Sequence, residues 1–336
     1  MSATSLRRPA ALPRQAHPVR QGIAARAWWP WARRALWGAF FVAVGILLVN
    51  QARTIHWDEV AQTLRSLPPS VLLLAGALAF ASHLLYATFD LIGRHATGHR
   101  LPVPTVMGIT FVSYAFNLNF GALVGSVASR YRLYGRLGLD HLQIARILGL
   151  SLATNWLGYL LLGGLAFALF PPALPADWHI APGVLRIAGA LLAAAALGYL
   201  ALCAVAGAAH RSLRLRGHTF RLPSGRMAAL QLALSCANWA LIAAAIHVLL
   251  RQQVDYPTVL AVLLLAAVAG VVTHVPAGLG VLEAVFVALL GTQLAPATLI
   301  GTLLAYRALY YLAPLALAVV LFLFLELRHR QRPRDA

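Results

Sequence analysis

Two charged residues stand in parts of the chain that otherwise hold almost no charge. Glu283 follows a run of helix breakers in "THVPAGLGVLEAVF", residues 273–286, and Arg307 lies within "LLAYRALYY". A lone arginine in the middle of a hydrocarbon layer costs about 2.5 kcal/mol or far more, so each charge needs a partner or water. An ion pair between Glu283 and Arg307 is the economical expectation. Such a pair either locks two elements together or serves a passing anion, and sequence alone leaves both readings open.

The breakers beside Glu283 suggest a ligand site. Gly278 and Gly280 leave room for close approach, and an α-helix that restarts after a break presents unpaired N–H groups and a positive dipole end, which attract anions. A second broken stretch, "NLNFG" at 117–121, offers Asn117 and Asn119, and the Asn119 side chain is expected to cap the arm that follows. Gly121 and Gly125 form a small-xxx-small pair that also fits tight helix packing. Arg130 and Arg132 fall where lipid phosphates would lie and fit interfacial anchors; Asp90 is placed to pair with this group. Tyr310, with Tyr306 and Tyr311, either lines a cavity beside Arg307 or packs at helical spacing.

Enzyme signatures are missing. The chain has no lysine, hence no P-loop, and it lacks HExxH, G-x-S-x-G and a clustered aspartate motif. "HATGH" at 95–99 spaces two histidines at i and i+4 but in a glycine-containing loop without a third ligand. Cys203 and Cys236 fall in apolar stretches and form no CxxC pair. No catalytic residue, metal or cofactor is expected.

The elements that must position these residues are membrane spans. Of 336 residues 60% are hydrophobic and only 11% charged, which no soluble globular domain matches. The net charge of +18 does not imply nucleic acid, because the arginines cluster in short segments between apolar runs, as in cytoplasmic loops. Residues 1–34 form a basic cytoplasmic segment, and the first span follows without a cleavage pattern. Threading on arginine placement gives spans at about 35–50, 70–89, 142–170, 184–207, 227–250 and from about 298 to 327. The basic tail 328–336 returns to the cytoplasm.

Two segments remain, 105–138 with both ends inside and 257–297 with both ends outside. Each has its break in the middle and arms of about 10–16 residues, as suits a re-entrant hairpin. The order span, span, hairpin, span occurs twice with opposite orientation, over 35–170 and 184–327. The expected fold is therefore an all-α polytopic membrane protein of two inverted-topology repeats, each with three spans and one re-entrant helical hairpin. The alternative is two ordinary short helical pairs packed through small residues.

At "HVPAGLGVLEA", followed by the arginine of "LAYRALYYLAP", the chain resembles the lysylphosphatidylglycerol synthetase transmembrane region family, a flippase-like domain that also occurs in stand-alone proteins. "NLNFGALVGSVASRYRLYG" is similar to that family's first-half motif, although Ala277 stands where the family often has glycine. The resemblance covers about 35–327. It implies two inverted halves that move a phospholipid head group between leaflets, with Glu283 and Arg307 lining the central cavity and, by weaker correspondence, Arg130 and Asp90. The family's synthetases carry a soluble aminoacyl-transfer domain after the membrane part; this chain ends soon after its last span, so lipid aminoacylation is not expected.

The expected protein is a bacterial inner-membrane translocator of an anionic phospholipid or lipid-linked anionic intermediate. A non-catalytic membrane partner that presents lipid to a separate glycosyltransferase or synthetase is the alternative. A homo-oligomer is left open.

Overall fold

The computed structural model describes residues 57–174, 182–208, 212–215, 218–221, 223–273, 278 and 280–330. The expected first span, the segments 1–34 and 331–336, the breaker Pro276 and Ala277 lie outside the described residues. A short helix α1 (Trp57–Ser66) leads into α2 (Pro69–Ala87), and α3 (Phe89–Thr97) continues it after a step at Thr88. Next come α4 (Val103–Gly121), the π-helical stretch π1 (Ala122–Ala128) and α5 (Ser129–Arg136), then α6 (His141–Leu169) and α7 (Pro182–Ala208). After a short ribbon follow α8 (Gly225–Leu249), α9 (Tyr256–Thr273) and α10 (Val281–Leu290). The last long helix consists of α11 (Pro296–Arg307), π2 (Ala308–Leu312) and α12 (Ala313–Arg330).

Among the described residues, seven stretches are long and apolar enough to cross a membrane, and α10 is a shorter apolar helix. Leu73, Leu123, Ile187, Val205 and Val320 each stay more than half exposed, an apolar outer surface that suits lipid. Local chemistry sets the helix starts. Prolines open α2, α4 and α11, where a missing N–H costs nothing. Asp140 and Gln143 form a reciprocal capping box at α6, and Ser224 accepts from the Met227 N–H at α8.

One of the seven apolar stretches, Val103–Arg136, folds back on itself. Gly121 adopts φ +79° and ψ 173°, open to glycine and strained for other residues. Beyond it the chain returns along α4: Ser129 Oγ donates to Ser113 Oγ at 2.8 Å, although 16 residues of straight helix would separate them by about 24 Å. Gly125 lies so close to the Phe116 and Asn117 backbone that a Cβ would not fit. α9 and α10 likewise pack together.

One expectation needs correction. The first arms are longer than 10–16 residues, 19 in α4 and 18 in α9. Helix α4 runs on through Asn117 and Asn119 because Asn119 Nδ2 bonds back to the Ala115 carbonyl at 2.8 Å, within the helix, and only Gly121 breaks it. The described spans are all helical, as expected, and a short ribbon lies between two of them. In the arginine-rich connection, Ser212–Leu215 pairs antiparallel with His218–Arg221, Leu213 opposite Phe220; the alternation in "SLRL" has strand period.

Side-chain contacts set helix directions. Helices α6 and α8 run parallel, since Thr154 meets Gln231 and Asn155 meets Ser235. Helices α6 and α7 run antiparallel, Gly164 facing Ala193 while Gly189 faces Ala168. Helix α4 is antiparallel to the last helix: Gly108 faces Leu321, and Asn119 reaches Tyr311.

Candidate functional site

The last long helix is the common support. Arg307 closes its α11 part, and π2, with its wider turn, carries Tyr310 and Tyr311. Both hairpin tips meet this stretch. From the first, Asn119 Nδ2 donates to the Tyr311 carbonyl at 3.3 Å. From the second, the Gly278 carbonyl accepts from Arg307 Nη2 at 2.9 Å.

The hairpins reach it from opposite ends of the last helix. Helix α5, the returning arm of the first, ends beside α12, where Glu326 takes Arg132 and Arg136 at 2.6 Å each. Helix α10 of the second leads through a short turn into Pro296 at the start of α11.

The expected ion pair is formed. Arg307 Nε donates to Glu283 Oε1 at 2.5 Å and Nη2 to Oε2 at 3.0 Å, the two-point geometry that makes such pairs strong. Glu283 lies in the first turn of α10, where the dipole favours an acid, and Gly280 caps that helix at φ +77°. The guanidinium carbon stands 5.3 Å from the centre of the Tyr311 ring. The side chains are 11% and 19% exposed, so this is a pair at the edge of solvent reach and not a dry core contact.

Arg130 and Asp90 form a second centre apart from the tips. Arg130 is 1% exposed and binds Asp90 at 2.9 and 3.1 Å. Ser126, Ser151 and the Tyr134 hydroxyl complete the shell around the two charges. Arg130 is therefore no interfacial anchor, and it makes the pair with Asp90 that the sequence offered as its other role. Its position in the returning arm points the side chain between α3 and α6, and Asp90 fully engages it. Arg132, two residues on, turns instead to Glu326.

Asn119 also departs from expectation. It lies before the break and caps nothing; no side chain caps the stretch after Gly121. Its Oδ1 is buried without a partner among the described residues. Asn117 is half-buried near the tip, its backbone N beneath Gly125. Tyr310 is buried, its hydroxyl 2.8 Å from Ser82 Oγ and 2.9 Å from the Tyr114 hydroxyl, so it belongs to a polar cluster in the protein interior. Tyr306 packs on Tyr310 and is buried as well; Tyr311 alone of the three faces Arg307.

The sequence reading missed Glu326, Ser82, His83 and Asn238. Glu326 was readable as the one acid in "FLFLELRHR". The other three are polar side chains within apolar spans, a weaker signal, because nothing in the sequence says that "ASHLL" and "CANWA" cross. The two cysteines are free, and no group of three metal-ligating side chains occurs among the described residues.

The profile of the lysylphosphatidylglycerol synthase TM region matches residues 35–318. The inner membrane protein YbhN of Escherichia coli K12 is 44% identical over 299 residues, 89% of this chain and 93% of that protein. The uncharacterized protein slr0712 of Synechocystis sp. is 30% identical over 304 residues, with the same coverage of each chain. By a family match across most of its length and by these relatives, the chain is a polytopic membrane protein that belongs to the lysylphosphatidylglycerol synthase transmembrane-region family.

Proposed function

We propose that this protein moves an anionic phospholipid, or a lipid-linked anionic intermediate, between membrane leaflets without changing it chemically. The observation that carries this reading is the meeting of two hairpin tips, from opposite ends of the last helix, within residues 307–311. Broken helices that converge near the bilayer midplane are where membrane carriers hold substrate. On this reading both hairpins are re-entrant and the two halves are inverted repeats. Packing supports the repeat: α4 packs on α2 and on α12, and its counterpart α9 packs on α8 and α6. Helices α2 and α8, the equivalent members of the two halves, pack on each other.

In this account Arg307 is the phosphate ligand and Glu283 its resident counter-ion. A phosphate presents the same two-oxygen edge as a carboxylate, so it can take over the guanidinium. Parting the pair is costly because it leaves a charge without its partner, which holds Arg307 on Glu283 until a phosphate arrives. The incoming phosphate offsets that cost, while the amides of the α10 N-terminus and Gly280 accept negative charge. The acyl tails stay in lipid, and the halves rock about the site. The E. coli relative is named for the inner membrane, and we place this chain in the bacterial inner membrane with both termini cytoplasmic.

One second reading has a specific basis. The family is named for a membrane region of a lipid-modifying synthase, which suits a subunit that presents lipid to a separate enzyme. A cryo-EM map in nanodiscs of anionic phospholipid tests the shared claim. Phosphate density within hydrogen-bond reach of Arg307, with Glu283 displaced, is the expected result. Lipid density only on the outer apolar surface contradicts both readings.

A further inference from the structure

The crossing of α2, α4, α8 and π2 holds a buried polar cluster that the lipid site does not use. Ser82 and His83 come from α2, Tyr114 from α4, Asn238 from α8 and Tyr310 from π2, all buried. Ser82 Oγ donates to Asn238 Oδ1 at 2.7 Å. With its single hydrogen so engaged, Ser82 accepts from the Tyr310 hydroxyl, which in turn accepts from Tyr114.

His83 stands against this chain of hydroxyls but outside it. Its Nδ1 lies 2.9 Å from the Ala79 carbonyl, which can only accept, so Nδ1 carries a hydrogen. In the neutral ring Nε2 is then a bare lone pair, and it has no partner among the described residues. The rings of Tyr310, Tyr114 and Phe111 pack around the imidazole, 4.7, 5.1 and 5.7 Å away between ring centres. Asn238 Nδ2, in the same cluster, also lacks a partner. Buried groups without partners are rare and require an explanation.

We propose that His83 Nε2 is a proton-binding site, and that a proton taken from water there favours a conformer in which water reaches this crossing. The groups facing His83 are Tyr114 and Phe111 from α4 and Tyr310 from π2; Tyr86 stacks on Tyr114 at 3.6 Å, with the Asp90–Arg130 pair beyond it. No carboxylate in that set is open to neutralise an imidazolium. A protonated His83 therefore needs water or a repositioned neighbour, and helices from both halves must part to supply either. The closed form binds fewer protons than the opened one, so acidification favours opening. The position of the orphan nitrogen is a fact of geometry; its coupling to lipid movement rests on the translocator reading above.

Deuterium exchange at the imidazole C2 position, read by mass spectrometry on the full chain in nanodiscs across the range of about pH 5–9 where histidines titrate, tests the site itself. His83 is expected to exchange about tenfold or more slower than exposed His95, yet along a sigmoidal pH curve that marks protonation through opening. Complete protection of His83 at every pH while His95 exchanges overturns the proposal and makes His83 a packing residue. In proteoliposomes, wild-type lipid movement is expected to rise as pH falls, up to about tenfold per unit above the midpoint, and H83Q to lose that dependence. An H83Q profile that parallels wild type overturns the coupling. If the wild type moves no lipid at any pH, the translocator reading fails, and the exchange curve still decides the proton site.

Discussion

At the residue scale the account turns on what Arg307 exchanges. Its partners include Glu283 and the Gly278 carbonyl, so its charge is balanced by the acid. Removing one partner should be worse than removing both. E283A and R307A each strand a charge and should lose less than the roughly 3–5 kcal/mol of a fully buried pair, while the E283A/R307A double should recover most of that loss in a thermal-unfolding cycle in detergent. The Asp90–Arg130 pair should behave more sharply, since both members are buried: D90A should lower the melting temperature more than E283A. Equal shifts would mean that the two sites do not differ in effective burial. The Glu283–Arg307 pairing was legible in sequence because two isolated opposite charges in apolar runs have few other partners. The depth of Arg130 was not legible. It sits in a row of arginines at 130, 132 and 136, and only the fold-back at Gly121 decides which of them points inward.

At the element scale the decisive features are the two breaks. In the first, a single glycine reverses the chain, and a second glycine four residues on lets the returning arm lie against the outgoing backbone. G125V should therefore separate the arms and cost about 1–3 kcal/mol or more, read as a lower melting temperature. Cross-linking checks the reversal directly. In a background without Cys203 and Cys236, S113C/S129C should form a disulfide under mild oxidation, because the native hydroxyls touch. Failure to cross-link in folded protein would mean a straight Val103–Arg136 helix. The existence of a break at 117–121 could be read from glycine and asparagine. Its position could not, because Asn119 satisfies itself within the helix and extends the arm to Gly121.

At the scale of the whole molecule, the last helix gathers contributions from both halves: Asn119 and Arg132 from the first hairpin, Gly278 and Glu283 from the second. The ion pairs divide it by height, Glu283–Arg307 at the end of α11 and Glu326 with Arg132 and Arg136 near the end of α12. Rocking of one half against the other would have to release Glu326 to open that end, so E326Q should raise the rate at which a thiol reagent added from that side labels a cysteine placed at Asn117. An unchanged labelling rate would remove Glu326 from the gating account. The spans Pro69–Thr97, His141–Leu169, Gly183–Val205, Gly225–Leu249 and Pro296–Leu327 were legible in hydropathy and arginine placement, which are properties of the chain in any fold. The contacts across halves did not, since "ASHLL", "CANWA" and "YRALYY" carry no mark of one another.

The most direct measurement of the central claim is lipid movement in proteoliposomes with a head-group-accessible fluorescent anionic phospholipid, comparing wild type, R307A and the E283A/R307A double. The wild type should transfer label between leaflets, and both variants should be slowed about tenfold or more even though the double recovers stability, because the phosphate ligand is gone in each. Transfer by R307A at the wild-type rate would show that the phosphate does not pass through the meeting point of the two tips.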